Sequence, residues 1–161
     1  MALRKPLVIV SGEIEQLQAG DDLNVPITGT IDITLTNDEA SPVVIGAPVY
    51  SDANDGFKKA KADAGGTALV IGLVSQSPSI TNATAGTVGV SGILTATTAQ
   101  WDAVTGQVGG LTFNTRYYLS AATSGLLTIT APTTTGNYVV EIGQALSTTE
   151  MSINIKKRIL L

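Results

Sequence analysis

Chemistry at neutral pH needs a side chain that exchanges a proton there, a nucleophile that such a group activates, or a set of metal ligands. The 161-residue chain has no histidine and no cysteine. The commonest general base, the commonest transition-metal ligand and every thiolate are therefore missing. Gly89-Val90-Ser91-Gly92 has the outline of a nucleophile elbow. The G-x-S-x-G pattern needs one more residue before the last glycine, and no imidazole exists to take a proton from Ser91. The spacing of Gly86, Gly89 and Gly92 is not that of a dinucleotide-binding loop, and no βαβ pattern surrounds it, so strand bends are the better reading. Asp52-Ala53-Asn54-Asp55-Gly56 shares residue types with a calcium loop. Its glycine comes one position early and no bidentate glutamate follows at the right distance, whereas a hairpin turn explains the same residues. Glu13/Glu15 and Asp21/Asp22 could pass for glycosidase carboxylate pairs. Trp101 and Phe113, the candidate sugar platforms, are far from both pairs in sequence, which leaves a solvated strand face. Asn82-Ala83-Thr84 matches a glycosylation sequon, which carries weight only in a secreted chain. The expectation is a non-enzymatic protein with no catalytic, cofactor-binding or metal-ligating residue.

Composition says what the chain does instead. Hydrophobic residues make up 43%, enough for a packed core, while charged residues are only 14%, against ~25% in an ordinary soluble domain. Small polar β-formers replace the missing charge, which favours sheets and a surface partly covered by partners. The net charge of −4 argues against nucleic acid as a partner. The basic residues form three small groups, Arg4–Lys5, Lys58–Lys59–Lys61 and Lys156–Lys157–Arg158, which read as solvated strand positions. Leu7-Val8-Ile9-Val10 is too short for a signal core, and no apolar run reaches the ~18–20 residues of a membrane span. No membrane partner is expected.

Hydrophobic periodicity sets the frame. Residues 6–17 read as two short strands around a Ser11-Gly12 turn. Ile31, Ile33 and Leu35 alternate with Asp32, Thr34 and Thr36, a period-2 strand with one wet face. An internal repeat follows. Val49-Tyr50, a turn at Asp55-Gly56, a strand over 57–63, a Gly65-Gly66 turn and Leu69 to Ser75 form the first copy. Tyr117-Tyr118-Leu119, a turn at Ser124-Gly125, Leu126 to Ala131, a turn at Gly136 and Val139 to Ser147 form the second. Each copy is followed by a further strand candidate, Val88 to Thr95 and Met151 to Leu161. Chance likeness between β-rich segments is the competing explanation. Gly72 and Gly143 sit mid-strand, which points to a bulge or a close backbone approach. Thr97 and Gln100 fit a capping box, and Gly106 fits a C-terminal stop. They predict a short helix held by Trp101 against a sheet. The expected fold is all-β, a compact antiparallel β-sandwich or barrel built from two related units, with one short helix near 98–105. The expected organisation is an N-terminal arm and strands over 1–40, a first β unit over 41–96, a helix and linker over 97–110, and a second β unit with the C-terminal strand over 111–161.

Candidate interface residues follow from the same pattern. Tyr50, Tyr117 and Tyr118 suit either an interface or the core, because tyrosine combines area with a polar tip. Met151, Ile153, Ile155, Ile159 and Leu161 share one face of the last strand, and Leu160 adds an apolar residue to the other. An uncovered end of this kind is an aggregation hazard. Covering by the chain's own first strand or by a neighbouring subunit is expected. Leu7, Ile9, Tyr50, Tyr117, Ile159, Leu160 and Leu161 are the candidate contacts.

The opening from Lys5 to Leu17, followed by Ala19-Gly20-Asp21, resembles the start of many tailed-phage virion proteins. Trp101-Asp102-Ala103-Val104-Thr105-Gly106, Gly109-Gly110-Leu111-Thr112 and Arg116-Tyr117-Tyr118-Leu119-Ser120 are similar to phage head-decoration and fibre-type proteins. So is the run from Gly136-Asn137-Tyr138-Val139 through Ile142-Gly143-Gln144-Ala145-Leu146-Ser147 to Ile159-Leu160-Leu161. The resemblance is to the capsid decoration, or cement, protein family. It implies a homotrimer bound to the major capsid protein on the virion surface, assembled in the bacterial host cytoplasm, with no catalytic residue. The chain has neither a heptad stretch nor a repeated shaft motif, which favours decoration over a tail, collar or head fibre. A host-glycan-binding module is the reading from another class.

Overall fold

The computed structural model describes residues 29–161 and two strands before them. β1 (Leu7–Val10) and β2 (Glu13–Gln16) pair antiparallel, with Val10 opposite Glu13. The Ser11-Gly12 turn and the Asp21/Asp22 pair lie outside the described residues.

Next come β3 (Thr30–Asn37), β4 (Val43–Val44), β5 (Pro48–Ser51), β6 (Gly56–Lys59), β7 (Val70–Val74), β8 (Ser79–Ile80) and β9 (Ala85–Thr95). Five of them close a barrel in the order β3-β6-β5-β7-β9 and back to β3. Four of its contacts are antiparallel, and β3–β6 is parallel. Closure removes most free edges. Val49, Phe57, Leu73 and Val88, one from each of four strands, are buried in its core. β4 and β8 pair separately. Asn37, the last residue of β3, is buried and satisfied. Its amide donates to the carbonyls of Ile80 (2.8 Å) and Ser41 (3.1 Å), and its side-chain oxygen accepts from the Glu39 amide (2.9 Å). A buried amide with this many partners fixes one loop arrangement.

β9 is eleven residues long and serves two sheets. Its first half belongs to the barrel, and Gly92 to Thr95 pair with a strand of the second unit. Gly92 is the pivot, opposite both Thr30 and Ile153, at φ +102°. A Cβ there would lie 2.2 Å from the Gly29 carbonyl oxygen, so only glycine fits.

The second unit contains α1 (Thr98–Thr105), β10 (Arg116–Leu119), β11 (Leu127–Thr128), β12 (Tyr138–Val139), β13 (Glu141–Ala145), β14 (Glu150–Ile153) and β15 (Ile159–Leu160). Its sheet runs β11-β10-β13-β14-β9. The repeat seen in the sequence is a repeat of pairings. β5 lies between β6 and β7, as β10 lies between β11 and β13. Each central strand has a register shift against its third strand, between Val49 and Tyr50 in one copy and between Tyr117 and Tyr118 in the other. Gly72 faces Val49 as Gly143 faces Tyr117. The fourth strands match too, since β7 pairs with β9 and β13 with β14. Even the entry turns agree: Gly46 (φ 83°) donates to the Val74 carbonyl, and Asn114 (φ 59°) donates to that of Ala145.

α1 forms as its capping residues predict. The Thr97 hydroxyl accepts from the Gln100 amide (3.2 Å), and the Gln100 side chain accepts from the Thr97 amide (2.8 Å). Gly106 closes the helix in the left-handed conformation at φ 67°. Trp101 is fully buried and donates from Nε1 to the Thr149 carbonyl at 2.9 Å. Its ring crosses Gly46 so closely that a Cβ there would sit 2.9 Å away.

Two expectations need correction. The strand expected over Met151 to Leu161 is two strands, β14 and β15, separated by residues 154–158. Between them Asn154 and Lys156 donate their amides to the Ile142 and Glu141 carbonyls, which keeps the chain alongside β13 on its way to β12. β3 does not have one dry and one wet face along its length. Leu35 packs on the core, but Ile31 and Ile33 are 66% and 39% exposed. β6 joins β3 only at Thr36 and Asn37, so the first part of the strand projects beyond the barrel wall.

Candidate interface surfaces

The sequence-expected contact residues do not converge on one place. Tyr117 is corrected to a core residue: it is 0% exposed, accepts a bond from the Thr112 amide (2.8 Å) and donates to Gln107 Oε1 (2.5 Å). Tyr50 is half-buried, and its hydroxyl donates to Asp52 Oδ1 at 3.3 Å. Burial, and then the Asp52 carboxylate, push that hydroxyl above the usual phenol range. Leu7 and Ile9 lie on β1. Ile159, Leu160 and Leu161 are exposed. The first strand does not pair with them: β15 pairs with β12, with Val139 opposite Ile159, and their side chains stay uncovered among the described residues.

The acidic turn is a hairpin with ion pairing. Lys58 Nζ lies 2.6 Å from Asp52 Oδ2 and holds that carboxyl below the usual carboxylate range. Asp55 takes φ 59° in the turn between β5 and β6. With one acid paired and another spent on the turn, calcium and a chelator should give the same melting temperature. A rise of several degrees with calcium would show a bound ion.

A cleft of about 350 Å³ opens between the barrel and the second sheet. Leu69, Val70, Val140 and Ile155 give it apolar walls, and Lys156 to Arg158 line its rim. Arg158 is held in place, donating to the Gly65 carbonyl and stacking 5.6 Å from the Tyr138 ring centre. The ion pairs found among the described residues lie elsewhere, at Lys58–Asp52, Lys61–Asp63 and Arg116–Glu141.

Sequence reasoning misses the exposed end of β3. The alternation assigns Ile31 and Ile33 to a buried face, and nothing in residues 30–36 alone reveals that the neighbouring strand starts late. Phe113 and Val108, in the loop between α1 and β10, are 71% and 98% exposed.

The chain matches no protein-family model and no curated protein. Its chemistry must be read from its own residues. Among the described residues no three potential metal ligands gather, and no helix is long and apolar enough to cross a membrane. What the surface does offer is apolar strand ends and one cleft with a basic rim, features that suit contact with other proteins.

Proposed function

We propose that this chain is a structural component of a tailed-phage virion that binds the outer surface of the capsid and stabilises it, as a homotrimer on the major capsid protein. The observation that carries the reading is the resemblance of residues 101–120 and 136–161 to phage head-decoration and fibre-type proteins, with the compact length and the lack of a shaft repeat favouring decoration. Those stretches contribute most of α1, β10 and β12 to β15. The low charge and the exposed apolar residues at Ile31, Phe113, Ile159 and Leu160 support burial against partners. No chemistry is required of such a protein. Binding the assembled lattice in preference to free subunits stabilises the lattice by mass action.

Particles stripped of the protein should release DNA at a lower temperature than complete ones, and adding it back should restore them. Unchanged release would favour a tail, collar or head-fibre component. Cryo-electron microscopy of the intact particle would place its density directly.

A further inference from the structure

The cleft between the barrel and the second sheet joins apolar walls to a cationic rim, and we infer that it is a docking site for an acidic segment of another protein, anchored by one apolar side chain. Both units build the walls. Leu69, just before β7, is 55% exposed, while Val140, just before β13, is only 1% exposed and lies at the bottom. Ile155, packed against the core, completes the apolar lining. The volume of about 350 Å³ falls in the range of ligand pockets, ~300–1,000 Å³. Two bonds tie the walls together across the units. Arg158 donates to the Gly65 carbonyl, and the Tyr138 amide donates to that of Ala62 (2.8 Å). The Asn154 and Lys156 amides hold the rim segment to β13 (2.9 and 2.8 Å). The cleft is therefore formed before anything enters it, which lowers the ordering cost of binding.

Charge complementarity names the occupant. Lys156, Lys157 and Arg158 follow one another at the rim, and among the described residues none of them makes an ion pair. The neighbouring acids are already engaged. Glu141, next to Val140, pairs with Arg116 (3.5 Å), and Asp63, just before Gly65, pairs with Lys61 (2.7 Å). Uncompensated cations thus gather at one apolar cleft in a chain whose net charge is −4. Their mutual repulsion is relieved by an anionic occupant. Arg158 is also aimed. The Gly65 carbonyl and the Tyr138 ring, 5.6 Å away, hold its guanidinium and leave other N–H donors for a carboxylate. The lining decides the class of partner. Nucleic acid calls for a broad basic face rather than apolar walls. A lipid surface is bound through clusters of ~4–8 basic residues or an amphipathic helix. An apolar slot with a few charges at its rim suits a protein anchor residue, its body desolvated in the slot and its acidic neighbours at the edge. The assignment rests on the chemistry of the cleft and is independent of the capsid reading.

The test uses the full chain and a fluorescently labelled peptide in which one phenylalanine stands between two pairs of aspartates. Anisotropy should show saturable binding that weakens as sodium chloride rises, because salt screens the rim. Replacing the phenylalanine by alanine, or the aspartates by asparagines, should each weaken binding roughly tenfold. Lys156→Glu combined with Lys157→Glu should abolish binding and keep the melting temperature, since both side chains are exposed. Leu69→Ser, which removes an exposed apolar wall, should weaken binding with the fold intact. Nuclear magnetic resonance shifts on peptide addition should cluster at Leu69, Val140 and Ile155. No saturable binding, equal binding of the asparagine peptide, unchanged binding by the double lysine variant, or shifts centred elsewhere would overturn the inference. Phosphatidylserine-containing vesicles that bind the chain through the same lysines, where the peptide does not, would overturn it in favour of a lipid surface.

Discussion

Trp101→Ala should cost about 3–5 kcal/mol of folding stability, the range for removing a fully buried large aromatic side chain. α1 is eight residues long, too short to persist without tertiary contacts. Its buried side chains are Trp101 and Val104, and the indole touches the Gly46 bend that opens the first repeat. The same ring reaches the Thr149 carbonyl, one residue before β14. Removing it opens a cavity where the helix, the first unit and the second sheet meet, and leaves that carbonyl with the Ala96 amide alone of its two donors. Trp101→Phe keeps an aromatic ring but loses the N–H and part of the ring volume, so it should cost less than the alanine variant. Trp101 is the only tryptophan, so urea unfolding of the variants must be followed by circular dichroism rather than fluorescence. A wild-type midpoint for Trp101→Ala would mean that the indole is a surface contact.

The features legible in the sequence are those set by neighbours along the chain. The capping box at Thr97 and Gln100 is a local exchange of hydrogen bonds, and its residue spacing is its geometry. The repeat is legible because glycines and tyrosines keep their order through both copies, and the matched register shifts show what that order encodes. Barrel closure is not legible. It depends on β3 meeting β6 in parallel across the barrel, a contact between residues about twenty positions apart that leaves no periodic trace. The same contact decides where β3 emerges from the barrel. That is why Ile31 and Ile33 look like core residues in the sequence while Leu35 alone packs there. Tyr117 shows the opposite limit. A tyrosine in a strand fits the core or an interface equally well by type, and only the buried partners of its hydroxyl, Gln107 and the Thr112 amide, decide between them. The C-terminal alternation reads as one strand because Ile155, Ile159 and Leu161 stay in step with Met151 and Ile153, although Lys157 interrupts the apolar face and Leu160 the polar one. The backbone there bonds to Ile142 and Glu141 instead, a choice made by the adjoining strand.

Gly143→Ala should be among the most damaging single-methyl additions in this chain, costing ~3 kcal/mol, the upper end for overpacking a well-filled core. Gly143 faces Tyr117 on one side and Ile153 on the other, in the middle of the second sheet. A Cβ there would lie 2.2 Å from the Ser152 carbonyl oxygen. That atom is backbone, so no side-chain rotation relieves the clash. β14 would have to move away from β13, and β14 also holds the second half of β9. Gly72 occupies the equivalent place in the barrel, where a Cβ would meet the Gly89 carbonyl oxygen at 2.5 Å and Val88 Cγ1 at 2.7 Å. Gly72→Ala should therefore destabilise in the same way. Gly66 provides the control. A Cβ at Gly66 would meet nothing within 4 Å, so Gly66→Ala should be neutral or slightly stabilising, because alanine restricts the unfolded chain. Thermal melts of the three variants test the close approach at both sites. If Gly143→Ala and Gly72→Ala melt together with Gly66→Ala, the strands are not held at that distance. If both fall by a similar, large amount, the mid-strand glycine is a shared structural requirement of the two units.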